Sequence, residues 1–263
     1  SLSELTGTQE VKKEFPAPNA KEFPEMPLLC GLAVMPNDFI RTLNRIAPSV
    51  STKDCRLALH GILLSKDGLV ATDGKQLCHV LYSLPVTSNM VLRVPSCLFT
   101  NEFYDVPVKF GVAKDNNGER VMFEAGNYTL ISKCIQATYP NWKQVVPKPE
   151  NITCKLKIAD ATKLQDAIQS LPDDETHKLI AMRLNEEKLE VSAYGQTALL
   201  HTSELASRFG RPAADMIIDR KFLLRVLSLG HDTLEQMPDP ISPLIATGGL
   251  GQLVFMPMHE RNK

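Results

Sequence analysis

A chain of 263 residues that is 43% hydrophobic and 22% charged has the balance of a globular protein of about two ordinary domains. Its charges nearly cancel, 29 Lys+Arg against 30 Asp+Glu, which excludes a protein that grips nucleic acid by neutralising many phosphates; any DNA contact must be local, weak or maintained by topology. The longest apolar run, Leu28 to Met35, is too short to span a bilayer, and the amino-terminal SLSELTGTQEVKKEF has no hydrophobic signal core, so a cytoplasmic protein with no membrane association is expected.

Residues 1–26 are polar and punctuated by Pro16, Pro18 and Pro24, the composition of an extended linker or a stray strand. The first strong element is PNDFIRTLNRIAPSV, where Phe39, Ile40, Leu43, Ile46 and Ala47 recur at helical spacing and Asn37 or Asp38 is placed to cap. Arg41, Asn44 and Arg45 fall on its opposite face. RLALHGILLSKDGLVATDG and QLCHVLYSL follow as short β-rich runs broken at Asp67-Gly68 and Asp73-Gly74, the dipeptides of hairpin turns. VLRVP leads into a shorter helix, SCLFTNEF, and then a strand meander runs from Val108 to Ile135 with turns at 116–118 and Gly126-Asn127. YPNWKQVVPKP, bounded by prolines, reads as a connector.

The second half repeats this order. LKIADATKLQDAIQSL is a strand and a helix with Leu164, Ala167, Ile168 and Leu171 inward; LIAMRLNEEKLEVSAYG is a hairpin. MIIDRKFLLRVLSLG is a strand, an Asp219 cap and a helix stopped by Gly230, and LIATGGLGQLVFMPM is a last hairpin. Phe39 to Leu164 and Leu43 to Ile168 are both offsets of 125, Gly74 to Gly195 is 121 and Leu98 to Phe222 is 124. Four near-equal offsets in the same order point to a duplicated unit, against two unrelated α+β domains as the alternative.

Motifs of bond chemistry are absent from the sequence. GGLG (Gly248 to Gly251) lacks the Lys-Ser/Thr of a phosphate loop and lies between two strands, so it reads as a hairpin turn. Asp73 has no base, nucleophile or metal partner at fixed spacing; His60, His79, His177, His201, His231 and His259 form no HxxxH pattern, and GxSxG does not occur. Cys30, Cys55, Cys78, Cys97, Cys134 and Cys154 are scattered with no CxxC, which fits buried or half-buried thiols rather than a zinc site. No cofactor and no metal are expected. The recurring hint is basic helix faces, Arg41 with Arg45 in the first half and Lys221 with Arg225, beside Arg220, in the second.

These segments resemble the β subunit of bacterial DNA polymerase III, the DNA sliding-clamp family. RLALHGILL followed by VATDGKQLCHV is similar to the start of the family's middle domain and ISKCIQATYPNWKQVVPK to its end. FLLRVL resembles the second helix of the third domain, and SPLI followed by LVFMPM resembles the last strand and its Met-Pro-Met signature. The resemblance implies an α+β fold of two tandem DNA-clamp domains, 27–148 and 149–263, each with two helices packed on antiparallel sheets. Residues 1–26 would be a linker or the remnant of a missing N-terminal domain. It further implies a non-catalytic processivity factor that encircles double-stranded DNA, holding it weakly and without regard to sequence. Polymerase, clamp loader and repair proteins would dock through short hydrophobic peptides. Carried onto this sequence, the peptide groove comprises Leu59, Thr72, Gly74, Leu77, Pro140, Val145, Val254, Met256 and Met258, with Arg56 at the rim and Trp142, the sole tryptophan, as a wall. The DNA-facing set is Arg41, Arg45, Lys53, Lys163, Arg220, Lys221 and Arg225.

The chain departs from the family in lacking its first domain; it is either a fragment of a longer protein, a two-domain chain of which three copies restore six domains as a homo-oligomer, or a clamp-like interaction module that does not encircle DNA. Ser96-Cys97 stands where clamps place basic residues, Leu57-Ala58 where an aromatic pair is common, and His259 in place of the usual Arg.

Overall fold

The computed structural model describes residues 2–6, 9–13, 30–104, 106–115, 118–172, 178–184, 188–193, 196–201, 204–206, 216–239 and 241–258. Strands β1 (Leu2–Thr6) and β2 (Gln9–Lys13) form a separate antiparallel pair. The linker expected over 1–26, and its three prolines, otherwise lie outside the described residues, as do Gly195, His177 and His259.

The first half then runs β3 (Cys30–Val34), α1 (Phe39–Ile46), β4 (Ile62–Ser65), β5 (Gly68–Thr72), β6 (Gln76–Val80), β7 (Met90–Leu92), α2 (Asn101–Tyr104), β8 (Val108–Asp115), β9 (Gly118–Ala125) and β10 (Tyr128–Ile135). The second half runs β11 (Cys154–Lys157), α3 (Ala161–Ser170), β12 (Leu179–Leu184), β13 (Lys188–Ala193), β14 (Gln196–His201), β15 (Glu204–Ala206), β16 (Met216–Asp219), α4 (Arg220–Ser228), β17 (Thr233–Gln236), β18 (Leu244–Thr247) and β19 (Gln252–Phe255). Apart from the short β15, the order strand, helix, four strands, helix, three strands occurs twice, and both halves are α+β with antiparallel pairing throughout. The equivalent positions Phe39 and Leu164, Leu43 and Ile168, and Leu98 and Phe222 are all buried.

Local chemistry explains most boundaries. Asp160 caps α3 by accepting from the Lys163 N–H at 2.9 Å, Asp219 caps α4 through the Lys221 N–H at 3.0 Å, and Gly230, at φ 76°, ends the α4 segment. Asp38 occupies the cap position of α1 without capping it; its carboxylate accepts from the Tyr82 hydroxyl at 2.9 Å instead. Leu57–His60, expected within a β-rich run, forms a 3-10 turn, because His60 is pinned to the Asp54 carbonyl at 2.7 Å and the Ser51 N–H to the Leu59 carbonyl at 2.8 Å. β14, β15 and β17 carried no strand assignment from the sequence. Of the cysteines, Cys78, Cys134 and Cys154 are buried as expected, while Cys55 and Cys97 are exposed.

One 13-stranded sheet passes through both halves in the order β15-β11-β17-β18-β19-β6-β5-β4-β7-β10-β9-β8-β3; β14-β13-β12-β16 form a second sheet. The halves meet where β19 pairs antiparallel with β6, Val254 opposite Leu77 and Phe255 opposite Gln76. Successive side chains on these strands point to opposite faces. Cys78, Leu253 and Phe255 enter the main core with Phe39, Leu43, Phe222 and Val226 of the helices, and Leu77 and Val254 join a second apolar cluster with Leu63, Val70 and Ile245. Burial of each large apolar side chain stabilises the fold by about 1.5–3 kcal/mol.

On the helix side, α1 and α4 end against each other. Arg225 donates to the Arg45 carbonyl in the last turn of α1, and Arg45 donates to the Ser228 carbonyl in the last turn of α4 at 3.2 Å. Each cation thus meets the negative end of the other helix. His231 lies beside them, 1% exposed, its Nδ1 accepting the Gly249 N–H at 3.2 Å. Burial, with the charges of Arg45 and Arg225, pushes its pKa from 6.5 down to about 4. Between these values the unfolded chain binds a proton that the folded chain refuses. The folded state is therefore expected to be fully stable above pH 6.5 and to lose up to about 3 kcal/mol as pH falls toward 4. Urea unfolding across that range measures the loss, and His231→Gln should remove the histidine's share of the slope.

Candidate functional site

The face of the junction opposite the helices carries a cleft of about 320 Å³. Its walls come from four places in the chain. Arg56 and Leu59 enter from the 3-10 turn before β4, and Thr72, Gly74, Lys75, Gln76 and Leu77 from the β5–β6 hairpin. Pro140, Asn141, Trp142 and Val145 come from the segment after β10, and Val254, Phe255 and Met256 from β19 and its end. Ten of the eleven positions expected in one groove therefore line one cavity, and Lys75, Gln76, Asn141 and Phe255 join them. The latter four are sequence neighbours of expected residues on the same segments; strand periodicity counted back from Leu77 could have suggested Lys75, whereas it assigns Phe255 to the opposite, core face.

The hairpin is shaped by its polar atoms. Thr72 donates its hydroxyl to the Gln76 carbonyl at 2.6 Å and accepts the Gly74 N–H at 3.1 Å. Gly74 sits at φ 85°, where a side chain would be strained. Asp73 closes the turn: its carboxylate accepts from the N–H groups of Lys75 at 2.8 Å and Gln76 at 2.9 Å. At the rim, Asp54 holds the Arg56 guanidinium through two bonds of 2.9 and 2.8 Å, and these keep the Asp54 carboxyl far below the usual carboxylate range.

The connector wall is fastened to the sheet by side chains. The Trp142 ring lies 4.5 Å from that of His79, Lys143 pairs with Asp67 at 2.5 Å, and the Tyr139 hydroxyl donates to the Val70 carbonyl at 3.4 Å. Below it, Leu77 and Val254 form an apolar floor. Val145 and Met256 remain 52% and 41% exposed, large apolar side chains presented to solvent at the mouth. The cleft offers apolar surface and backbone polar groups with a cationic rim, the make-up of a binding site; among the described residues no cluster of His, Cys, Asp and Glu could hold a metal.

Met258 is the expected groove residue that does not line the cavity. Its backbone N–H bonds to the Ile217 carbonyl at 2.7 Å in an isolated antiparallel bridge to β16, much as the end of β10 reaches across to β7.

The basic set divides. Arg220, expected to face DNA, is 5% exposed and donates to the carbonyls of Leu171 at 2.8 Å and Pro172 at 2.6 Å, so it ties the end of α3 to α4. Arg45 and Arg225 are engaged across the α1–α4 contact described above. Lys221 pairs with Asp219 at 3.1 Å, and the Arg41 guanidinium stands 5.4 Å from the centre of the Tyr104 ring. Lys53 and Lys163 are exposed. The i, i+4 spacing showed a shared helix face but not which partner that face meets.

No family model matches the chain. A 126-residue segment is 25% identical to the beta sliding clamp of Borreliella burgdorferi, covering 46% of this chain and 32% of that protein. The DNA polymerase sliding clamp of Caulobacter crescentus superimposes with a TM-score of 0.73 at 21% identity, over 95% of this chain and 72% of its own. The fold is that of the DNA sliding clamps. The Helicobacter pylori beta clamp, bound to a DNA ligase peptide, matches with a TM-score of 0.71 at 21% identity over 92% of this chain and 69% of its own. The segment shared with the curated relative is about a third of that relative's length. Among the described residues, no helix is long and apolar enough to cross a membrane.

Arg220→Met would strand the two carbonyls it serves and should lower stability by about 3 kcal/mol. Lys163→Ala, at an exposed position, should shift it by less than about 0.5 kcal/mol; urea midpoints compare the two.

Proposed function

We propose that this chain is a non-catalytic sliding-clamp protein, with clamp modules at 27–148 and 149–263, whose junction cleft captures short hydrophobic peptides of DNA-replication and repair proteins. The observation that carries this reading is the cleft itself: ten residues drawn from four separated segments converge on one apolar cavity between two copies of the same unit. Aliphatic and methionine side chains make a surface that adapts to different apolar ligands, and Gly74 lets a ligand backbone approach closely. A clamp superimposing on this chain holds a ligase peptide, which fits an occupant of this class. The near-neutral charge suits tethering by topology, since a ring that cannot be threaded off needs few phosphate contacts.

A specific observation favours a second reading, a module that docks peptides without encircling DNA. Arg220, Arg45 and Arg225 give hydrogen bonds to the protein's own carbonyls, which thins the basic face expected toward DNA.

Trp142 is the sole tryptophan and lines the cleft, so its fluorescence reports occupancy directly. A clamp-binding peptide should bind with a change in emission, and Met256→Asp should weaken it by at least ~10-fold, about 1.4 kcal/mol. Equal binding by the variant rejects the groove. Retention on covalently closed circular DNA, with release when that circle is linearised, is expected for the encircling reading; equal behaviour on both forms supports the second.

A further inference from the structure

A second cavity, of about 590 Å³, opens at the seam between the halves and shares no lining residue with the peptide cleft. The first half supplies the start of α1 and the end of β6, the second half the β18–β19 hairpin. Hairpin and strand are in close contact: a Cβ on Gly251 would come within 2.2 Å of the His79 carbonyl oxygen, so the frame of the cavity is fixed.

The polar lining is biased toward accepting hydrogen bonds. His79 Nε2 lies 3.1 Å from the Asp67 carbonyl, which can only accept, so that nitrogen carries the proton and donates. Nδ1 is then an acceptor and takes an N–H of Gln252 at 3.2 Å, which leaves the Gln252 amide oxygen as an acceptor. The Tyr82 hydroxyl donates to one oxygen of Asp38 at 2.9 Å; burial, together with that carboxylate, pushes the pKa of the phenol up and keeps it a donor. The other Asp38 oxygen has no partner among the described residues. His79, Gln252 and Tyr82 therefore all donate within the protein, while a carboxylate oxygen and an amide oxygen stay open. Among the described lining residues Asp38 is the one with a formal charge. The amino-terminal pole of α1 contributes about half a positive charge, which the full charge of the carboxylate exceeds. Val80, Leu81 and Leu250 form the apolar part, and Leu81 is 78% exposed.

We infer that this cavity binds an alkylammonium group, its aliphatic stem along Leu81 and Leu250 and its N–H groups on the open oxygens of Asp38 and Gln252. An ammonium has three donors and no acceptor, the complement of a lining whose own donors are engaged. A carboxylate or phosphate would meet Asp38 with like charge and find no cation in the lining. The same group occurs on a free polyamine and at the end of a partner protein's lysine side chain. The site is separate from the peptide cleft and stands whether or not that cleft captures peptides.

Ligand-observed NMR titration of the full chain with pentylamine tests it, with pentanoate and pentanol as controls that keep the stem and change the head. Saturable binding of the amine with a Kd below ~10 mM is expected, and at least ~10-fold weaker binding of both controls. Asp38→Asn keeps the size of the side chain and an acceptor for Tyr82 but removes the charge. It should weaken the amine at least ~10-fold with an unchanged unfolding midpoint. Asp166→Asn, at an exposed carboxylate of α3, should leave binding as it was. Spermidine and Nα-acetyl-lysine amide then separate the two sources, the tighter binder naming the one the cavity takes. Failure of the amine to saturate, equal binding of either control, no loss in Asp38→Asn, or an equal loss in Asp166→Asn would overturn the proposal. The comparison of the three head groups uses the unaltered protein and decides even where the Asp38 variant fails to fold.

Discussion

The β6–β19 pairing is the contact on which the architecture turns. Four residue pairs join two half-chains into one sheet, and strand alternation then assigns the two faces. One face supplies Cys78, Leu253 and Phe255 to the helical core; the other supplies Leu77 and Val254 to the cleft. The cleft is thus not an addition to a finished domain. It exists because two copies of a unit abut edge to edge and the connector between them folds back over the seam.

The helix side reinforces the same seam by different physics. Arg45 and Arg225 exchange places at the ends of α1 and α4, so that two guanidinium groups of like charge stand close yet each faces a helix carboxyl terminus. The buried neutral His231 is compatible with that arrangement only while it remains unprotonated. Hydrogen bonding across the sheet, apolar packing on both faces and cation–helix contacts at one end all act on a single plane of the molecule.

Much of this was legible in the sequence, for identifiable reasons. Helical spacing at Phe39, Ile40 and Leu43, capping aspartates at 160 and 219, and the glycine turns at 68 and 74 are local signals, and local structure obeyed them. Near-equal offsets of 121 to 125 residues carried the repeated order of elements in the sequence itself. What escaped was decided by distant partners. Arg220 looked like a surface cation because nothing nearby reveals the carbonyls of Leu171 and Pro172, 49 and 48 residues away. Asp38 had the identity and place of a cap, but Tyr82 took its carboxylate. Met258 follows the alternation of the groove residues 254 and 256, yet the chain leaves β19 at that point and bridges to β16. β17, TLEQ, offers a single apolar residue, and β14, QTALLH, bunches its apolar residues at 198–200 instead of alternating them.

Alternation at the seam also limits how the site can change. Sliding β6 against β19 by one residue would turn Leu77 or Val254 toward the helices and bring a core side chain out into the cleft, wrecking both at once. The binding surface therefore has no continuous adjustment available to it. New ligand preferences can arise only by replacing side chains in place, with the backbone frame held constant, which makes the cleft conservative in outline and variable in lining.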